Sequence, residues 1–479
     1  MLRLRFIKRT KMKILLIQPP STKVLDTSLP EILIEKEDPM PPLGLMYLAS
    51  YLEKNTSHDV KILDCRIENV GYTELKEKIA KPDIVGITTM TFTILDVIKT
   101  IKTIKEINPK IKIVLGGPHV HIYPEETIKI SGVDYCVLGE GEAPFKDLLD
   151  NIDNTEKLYN IRGIVFKDKD RVVNTGPRET IQDLDSLPFP ARHLIPYKKY
   201  GSVLAKRFPV TTMFTSRGCP YKCLFCDRPH LGKNFRFRSA KNVVDEIQEC
   251  EKAGIKEIFI YDDTFGADKQ RVLDICNEII KRGIKMVWDV RTRVNTVDQE
   301  ILGALKKAGC QRIHYGVEAG TQKILDVLRK GITLEMAEKA FKLTKKAGIE
   351  ALAYFMIGSP TETKKDVIQT IKFMKKLNPD YAHITITTPY PATDLYKMGL
   401  EQKVLSYDYW KEFAQNPTSD FRPCLWEKEL PKEELFFLLK KAYRSFYFRP
   451  LYIFKRVLQV KSRRELLTKA KTAFNMLKI

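Results

Sequence analysis

The chain has 479 residues, of which 43% are hydrophobic and 29% charged, a balance typical of a globular protein with about two or three domains. No stretch approaches the ~20 apolar residues of a membrane-spanning helix, and the start of the chain lacks the apolar core of a secretory signal. With nine cysteines, an odd number, these features argue against a secreted disulfide scaffold and predict a cytoplasmic protein.

The first part of the chain predicts an α/β domain. Residues 1–11 are predicted to be a basic tail, and Met12 begins a sequence that would itself start a normal first strand, so either methionine could be the true start. Alternating strands and helices predict a parallel, doubly wound, Rossmann-like sheet, whose ligand site lies beyond the carboxyl ends of the strands. The predicted strands are Lys13–Gln18, Val60–Leu63, Ile84–Thr88, Ile111–Leu115 and Tyr135–Leu138, and the helical patterns between them include Leu43–Lys54, Leu95–Ile107 and Ala143–Asn151.

Glycines and polar side chains gather at those strand ends, where they would let the chain close around a polar ligand. Together with the run Pro41-Pro42-Leu43-Gly44-Leu45, these segments resemble the cobalamin-binding domain found upstream of many radical S-adenosylmethionine domains, here over residues 12–154. Without the rest of the chain, a nucleotide-binding or receiver-like module would be a rival interpretation. The candidate cofactor-binding residues are Thr88, Thr89, Gly116, Gly117, Gly139 and Glu140.

One familiar element of cobalamin-binding domains is missing from this sequence. The motif D-x-H-x-x-G, whose histidine ligates cobalt from below, does not follow the first strand. His119 and His121 lie on a different loop. The resemblance therefore implies bound cobalamin without a protein histidine as its lower ligand.

Residues 155–204 predict a linker between domains. Their prolines, as in Leu187-Pro188-Phe189-Pro190, suit an extended crossing. A small β excursion is predicted at residues 161–166, and the next domain is predicted to begin at residue 205.

Three cysteines with the spacing C-x3-C-x2-C follow a β-like stretch at residues 210–215. Cys219, Cys223 and Cys226 thus lie on a loop at the carboxyl end of a strand, and three such thiolates can hold three irons of a [4Fe–4S] cube. The fourth iron then stays open for a small molecule, as reductive cleavage of S-adenosylmethionine requires. A structural zinc with His230 as the fourth ligand is the alternative. The remaining cysteines lack ligand spacing and are predicted to be core residues.

A second alternating series follows the cysteines. About six strand–helix pairs are too few for a full eight-fold barrel. Together with the cysteine spacing and the aromatic Phe225, they resemble the partial (β/α)6 barrel of the radical S-adenosylmethionine superfamily, here over residues 205–400. The later strands are predicted at Glu257–Tyr261, Met286–Val290, Arg312–Gly316, Ala351–Ile357 and Tyr381–Thr387.

Polar residues end successive strands of this series. The resemblance implies that Asp262 and Asp263 receive the methionine amino end of the cofactor and that Glu318 contacts its ribose or amino-acid part. Each carboxylate could instead be an ordinary helix cap. Phe225, Arg293 and Gly358 complete the cofactor-binding set that the resemblance implies.

Two motifs of the family recur with one change each. The run Gly358-Ser359-Pro360-Thr361-Glu362-Thr363 resembles G-x-P-G-E-T, with Thr361 in place of glycine. The run at residues 389–396 resembles P-x-P-G-T-x-L-Y, with Ala392 in place of glycine.

The resemblance implies three cofactors: a [4Fe–4S] cluster, S-adenosylmethionine and cobalamin. A reduced cluster would cleave S-adenosylmethionine, the resulting radical would take hydrogen from an unactivated carbon, and cobalamin would offer a methyl group. Methyl transfer is the leading activity, and an electron donor such as ferredoxin or flavodoxin is needed. Oxidative cyclisation or ring rearrangement of a lipid or tetrapyrrole is the alternative.

Two rival functions come from other classes. A non-catalytic sensor that holds cobalamin or a cluster would not need acidic residues at the ends of the barrel strands, yet they are present. RNA modification would fit the net charge of +21. No appended nucleic-acid-binding fold is evident, so a nucleic-acid partner is not expected.

The end of the chain, residues 401–479, predicts a helical basic extension. From Lys440 to Ile479 there are twelve Lys or Arg against one acid, Glu465, with aromatic and aliphatic residues interleaved. Such a segment is typical of a surface that meets anionic lipid headgroups. There are two alternatives to a lipid surface. The positive charge alone could attract nucleic acid, or the segment could be a helix packed on the protein with a solvated basic face. The extension favours a hydrophobic substrate drawn from a membrane and peripheral membrane association.

Overall fold

The computed structural model describes residues 11–22, 39–79, 81–202, 204–227 and 234–458. Residues 1–10 of the predicted basic tail and residues 459–479 of the predicted extension lie outside these ranges. The described residues divide into two compact units. The N-terminal unit contains residues 41–199 with 411–421 and the first strand, and the C-terminal unit contains residues 200–410 with 422–458.

The N-terminal unit is built on one sheet. Its first five strands are parallel, in the order β2-β1-β3-β4-β5, so the predicted doubly wound sheet is confirmed. The chain reverses direction across the sheet between β1 and β3, and open α/β sheets bind ligands at such a point. These strands are β1 Lys13–Gln18, β2 Asp59–Asp64, β3 Ile84–Thr88, β4 Lys112–Gly116 and β5 Tyr135–Val137.

Two further strands lengthen this sheet. They lie in the stretch predicted as a linker, at β6 Ile164–Asp168 and β7 Arg171–Asn174. Both pair antiparallel, β6 with β5 and β7 with β6. Residues 155–199 are therefore part of the N-terminal unit in this structure.

Helices of the N-terminal unit cover the sheet with apolar stripes. In α3, Ile94, Val97, Ile101 and Ile104 recur every three or four residues and are all buried. The helices are α1 Leu43–Asn55, α2 Tyr72–Lys78, α3 Ile94–Ile107, α4 Pro118–Ile122, α5 Pro124–Lys129, α6 Glu142–Asn151 and α7 Thr155–Leu158.

The C-terminal unit contains six parallel strands in sequential order, with no pairing between the first and last of them in the described residues. Helices alternate with the strands, and the predicted partial barrel is confirmed. The strands are β8 Val210–Met213, β11 Glu257–Ile260, β12 Val287–Thr292, β13 Cys310–Glu318, β14 Glu350–Ile357 and β15 Tyr381–Ile386; the short pair β9 Ser216–Arg217 and β10 Arg236–Phe237 lies apart. The helices are α8 Ala240–Lys252, α9 Lys269–Lys281, α10 Gln299–Lys307, α11 Gln322–Val327, α12 Leu334–Lys346, α13 Lys364–Leu377 and α14 Asp394–Glu401.

Three more helices end the described chain: α15 Tyr409–Gln415, α16 Lys432–Tyr447 and α17 Pro450–Leu458. The helix α16 covers the free edge of β15. The hydroxyl of Tyr443 donates to the carbonyl of Ile384 (2.9 Å), and that of Tyr447 donates to the carbonyl of Ala382 (2.6 Å). Both hydroxyls also accept from the N–H of the same strand residue. The edge that a closed barrel would pair is thus satisfied by side chains. No described helix is long and apolar enough to cross a membrane.

The two family glycines that this sequence replaces occupy left-handed backbone. Thr361 has φ +65° and Ala392 has φ +64°. That conformation costs about 1–2 kcal/mol of free energy for a residue with a Cβ. The surrounding fold therefore keeps the turn geometry that glycine would adopt without strain.

We predict that Thr361→Gly and Ala392→Gly each stabilise the protein by roughly 0.5–1 kcal/mol, since the strain relieved exceeds the extra backbone entropy that glycine loses. Calorimetric unfolding of the full chain measures the shift. Lys339→Gly is the matched control, because Lys339 is an exposed residue inside α12 with ordinary helical geometry and should lose about 1 kcal/mol. A destabilisation by all three changes would contradict the strain assignment.

Candidate functional site

The cysteine loop begins where β8 ends and is anchored at its centre. The backbone N–H of Leu224 donates to the carbonyl of Leu328, and the carbonyl of Leu224 accepts from the N–H of Leu395, both at 2.9 Å. The Leu224 side chain is fully buried with Leu395 and Trp426, and Phe225 packs against the same cluster. Cys223 is buried, while Cys219 and Cys226 are partly exposed.

The carboxylate of Asp262 fixes the beginning of the loop. It accepts hydrogen bonds from the backbone N–H groups of Thr215 (2.6 Å) and Ser216 (3.1 Å) and from their hydroxyls (2.5 and 2.6 Å). The guanidinium of Arg271 donates to the Thr215 carbonyl (2.9 Å) and lies 3.5 Å from the carboxylate. Both oxygens of Asp262 are therefore occupied within the protein. We propose that Asp262 positions the loop instead of receiving the methionine amino end.

Arg293 lies beside one cysteine. Its Nη1 donates to Cys223 Sγ (3.4 Å), its Nη2 donates to the Lys330 carbonyl, and its guanidinium lies 3.9 Å above the ring of Tyr221. Hydrogen bonds to the sulfur ligands help to set the reduction potential of an iron–sulfur cluster. Arg293, which was predicted to bind a cofactor, therefore contacts Cys223, one of the three predicted cluster ligands.

Glu318 lies at the carboxyl end of β13 in left-handed backbone, with φ +72°. The pairing of β13 with β14 shifts between Gly316 and Glu318, which marks a bulge. Lys330 Nζ donates to Glu318 Oε1 (2.7 Å), and both side chains are nearly buried. A Cβ on Gly316 would lie 2.4 Å from the same oxygen, so glycine makes room for the pair. Strained residues of this kind cluster at ligand sites.

Three other residues of the predicted cofactor-binding set lie in different surroundings. Asp263 is exposed beside Asp262. Gly358 directly follows β14 and has φ +79°, and a Cβ there would lie 2.7 Å from Leu435 of α16. Lys330 Nζ lies 5.8 Å from the centre of the Phe225 ring. The roles of Asp263, Gly358 and Phe225 in cofactor binding stay predictions.

In the N-terminal unit, the carboxyl ends of β3 and β4 are in direct contact through their backbone atoms. Gly117 has φ +111°, and a Cβ there would lie 2.8 Å from the carbonyl oxygen of Thr89, so only glycine permits this approach. Thr89 is fully buried and donates its hydroxyl to the carbonyl of Ile87 (3.3 Å). Thr89 and Gly117 therefore shape the strand ends, and Thr88 and Gly116 beside them are partly exposed.

The end of β5 is more open. Gly139 has φ +65°, and a Cβ on it would meet no atom within 4 Å. Glu140 next to it accepts from the N–H of Ile181 at 2.7 Å. Gly139 thus leaves room for a ligand to approach the backbone, while the Glu140 carboxylate holds a neighbouring segment.

His119 follows Gly117 and is fully buried. Its Nδ1 lies 3.1 Å from the Thr91 hydroxyl, and its Nε2 has no hydrogen-bond partner within the described chain. Burial lowers the pKa of His119 to about 4, so the ring is neutral at ordinary pH. A side chain enclosed in this way is poorly placed to ligate a metal outside the unit's core.

Comparison with known proteins assigns both units. Residues 213–374 match the family model for the radical SAM superfamily, and residues 32–149 match that for the B12 binding domain. An uncharacterized methyltransferase of Pyrococcus horikoshii is 38% identical over 94% of this chain and 95% of its own. The anaerobic magnesium-protoporphyrin IX monomethyl ester cyclase of Rubrivivax gelatinosus is 31% identical over 91% of this chain and 78% of its own.

The chain belongs to the cobalamin-dependent radical S-adenosylmethionine methyltransferase family. A solved structure with the same fold, the cobalamin-dependent S-adenosylmethionine radical enzyme OxsB with aqua-cobalamin bound, superposes with a TM-score of 0.75. It is 19% identical, and the match covers 97% of this chain and 71% of that one. Because the chain carries both the radical SAM domain and the B12 binding domain, its cofactors are a [4Fe–4S] cluster, S-adenosylmethionine and cobalamin.

The residues present fit these cofactors. No three His, Cys, Asp or Glu side chains in the described residues converge on a single metal ion. A cube held at three different irons does not need such convergence, and Cys219, Cys223 and Cys226 supply the required thiolates from one anchored loop. His230, the alternative zinc ligand, lies outside the described residues. The open backbone at Gly139 and the close approach at Gly117 fit a bulky ligand at the sheet end.

Sequence reasoning missed a polar network on one face of the C-terminal sheet. His314 Nε2 lies 3.2 Å from Asp289 Oδ2, and its Nδ1 lies 3.0 Å from the Tyr354 hydroxyl. The Tyr354 ring stacks edge-on to His383 at 5.7 Å. The signal was present in β13, where Arg312, His314, Gly316 and Glu318 alternate with apolar residues and so share one face.

We predict that Asp262→Ala destabilises the enzyme by about 3–5 kcal/mol and lowers the iron retained after anaerobic reconstitution, because the buried donors of Thr215 and Ser216 lose their acceptor. Chemical denaturation and iron analysis measure the two effects. Glu249→Ala, which removes an exposed carboxylate on α8 away from the loop, is the control and should change neither. Full iron content with a selective loss of S-adenosylmethionine affinity, measured by calorimetry, would show that Asp262 contacts that cofactor after all.

We also predict that the cobalt(II) form of the bound cobalamin shows no nitrogen splitting in electron paramagnetic resonance, because the family motif is missing and His119 is enclosed. His119→Ala and His121→Ala should both leave the spectrum unchanged. Triplet splitting that disappears in His119→Ala alone would refute this reading of the lower ligand.

Proposed function

We propose that this enzyme transfers a methyl group to an unactivated carbon of a hydrophobic substrate. The anchored three-cysteine loop at the carboxyl end of β8, in a chain that also carries a cobalamin-binding unit, is the observation that carries the proposal. The Pyrococcus relative that matches nearly the whole chain is named a methyltransferase, which supports the same reaction. When bound, the cluster supplies the electron that cleaves S-adenosylmethionine, and cobalamin supplies the methyl group.

Different residues of the C-terminal unit would position the cysteine loop, donate to a cysteine sulfur and contact S-adenosylmethionine. Asp262 and Arg271 hold the loop, and Arg293 gives Cys223 a cationic hydrogen-bond donor. The bulge at Glu318, with its Lys330 partner, offers a rigid polar contact for the amino-acid or ribose part of S-adenosylmethionine. Rigid placement and exclusion of water matter here because a carbon radical reacts with anything nearby.

One face of the sheet is suited to receive the substrate. On β14 and β15, Tyr354, Met356, His383 and Thr385 are partly exposed, whereas their neighbours Phe355, Ile357, Ile384 and Ile386 are buried on the opposite face. Arg291 on β12 lies over the ring of Tyr261 at 3.9 Å. This mixture of aromatic, apolar and cationic groups fits a substrate with an apolar body and a polar group.

A second candidate is oxidative cyclisation of a tetrapyrrole. The Rubrivivax relative is named for such a cyclase and matches most of both chains. Methylation and cyclisation begin with the same abstraction of hydrogen from carbon, so the fold supports both. The reaction also needs a one-electron donor, and we infer an acidic ferredoxin or flavodoxin because the chain carries a net charge of +21.

The test is anaerobic turnover with reductant and S-adenosylmethionine labelled in its methyl group. Without substrate, slow formation of 5′-deoxyadenosine is expected, and it should vanish when Cys219, Cys223 and Cys226 are changed to alanine. Cys250→Ala, a change of a buried cysteine on α8, should keep the activity. With membrane lipid extracts or tetrapyrroles, mass spectrometry should find a product that carries the label and one added CH2 group.

The alternatives give different products. A product that has lost hydrogen atoms, carries no label and contains a new ring would establish the cyclase. Failure of the reconstituted protein to form any 5′-deoxyadenosine would refute the proposed chemistry.

A further inference from the structure

The last described helix, α17, exposes an apolar face. Leu451, Phe454 and Leu458 are 85%, 65% and 69% exposed, and their spacing of three and four residues puts them on one side of the helix. Ile453 and Val457, one turn apart, are also exposed. No residue of α17 is buried. A contiguous apolar patch of this kind marks an interaction surface.

The other side of α17 is fixed to the C-terminal unit. The hydroxyl of Tyr452 donates to the carbonyl of Asp380 (2.9 Å), and Arg456 lies 3.2 Å from the carboxylate of the same residue. The Arg456 guanidinium also lies 4.5 Å from the centre of the Tyr381 ring. Because these contacts set the rotation of the helix, its apolar face is directed outward by the fold.

Cations accompany this face along the sequence. Lys455 is exposed on α17, where its Nζ lies 3.7 Å from the Asp380 carboxylate, and Lys440 and Lys441 are exposed on α16. Residues 459–479 add six Lys or Arg against the single acid Glu465. A second copy of the chain would bring two such basic segments together, which repel each other. An apolar helix face with this charge matches an anionic lipid surface.

We propose that α17 is an interfacial helix that docks the enzyme on an anionic membrane through Leu451, Phe454 and Leu458. The surface deepens the proposed function, because a hydrophobic substrate resides in such a membrane. Its evidence is independent of catalysis. In this arrangement α16 belongs to the folded body, and α17 is the part that enters the headgroup region.

The test is sedimentation of the full-length protein with vesicles of phosphatidylcholine, alone or mixed with phosphatidylglycerol, at low and high salt. The wild type should bind the anionic vesicles, and added salt should weaken the binding. The triple variant Leu451→Gln, Phe454→Gln, Leu458→Gln should lose roughly a thousandfold in affinity, since burial of each of the three side chains contributes about tenfold. Point changes are used because removal of α16 would uncover the edge of β15.

The matched control changes Ile280→Gln and Met336→Gln, which are exposed apolar residues on other helices of the same unit. This variant should bind vesicles like the wild type. The triple variant should still form 5′-deoxyadenosine, so a failure of the docking surface is distinguishable from a failure of the proposed chemistry.

Three outcomes would overturn the proposal. The first is equal vesicle binding by the wild type and the triple variant. The second is binding of RNA that anionic vesicles do not displace. The third is vesicle binding by a chain that ends at Leu458 but not by the full chain, which would show that residues 459–479 cover the face.

Discussion

The position of the cysteine loop depends on one buried carboxylate. Asp262 follows β11, and Thr215 and Ser216 follow β8, so the four hydrogen bonds between them tie together the carboxyl ends of two neighbouring strands. A buried carboxylate without partners would cost several kcal/mol. Here every interaction that stabilises the charge also holds the loop, and Arg271 completes the neutralisation. The cysteines therefore start from a fixed backbone, and a cofactor bound there need not spend binding energy on ordering it.

Charge is distributed unevenly along the polar face of the same sheet. Near the strand starts, Arg312 is fully buried between Asp289 (3.6 Å) and Glu350 (3.0 Å). Burial raises the pKa of Glu257 to about 7, although that carboxylate also accepts from two backbone N–H groups. These charges satisfy one another within the protein. Toward the carboxyl ends, some polar groups of this face, such as Arg291, Tyr354 and His383, are partly exposed, and these groups can meet ligands.

Local sequence patterns were sufficient for the elements and insufficient for their long-range partners. The predicted strands Lys13–Gln18 and Ile84–Thr88 agree with the structure at both ends, and the other predicted strands agree within about two residues. They agree because the burial of each strand leaves a recognisable pattern of apolar residues in the sequence. The same patterns placed the candidate residues at the ends of parallel strands. They could not show that Asp262 bonds to residues 46 and 47 positions away, that β6 and β7 lengthen the first sheet, or that Tyr443 and Tyr447 cover the edge of β15. Those contacts depend on tertiary packing, which no local period encodes.

Three strained residues of the C-terminal unit lie at the same sheet edge as the candidate ligand contacts. Glu318 ends β13, Thr361 follows β14 and Ala392 follows β15, and all three have left-handed φ without being glycine. Neighbouring interactions hold each of them: Lys330 pairs with Glu318, the Glu362 carboxylate accepts from the N–H of Ser359 (2.9 Å), and the Thr393 hydroxyl accepts from the N–H of Tyr396 (3.1 Å). Such strain persists only where the surroundings over-determine the backbone. The edge is thus a rigid rim, and rigidity suits a site that must hold a reactive intermediate in one place while water is kept out.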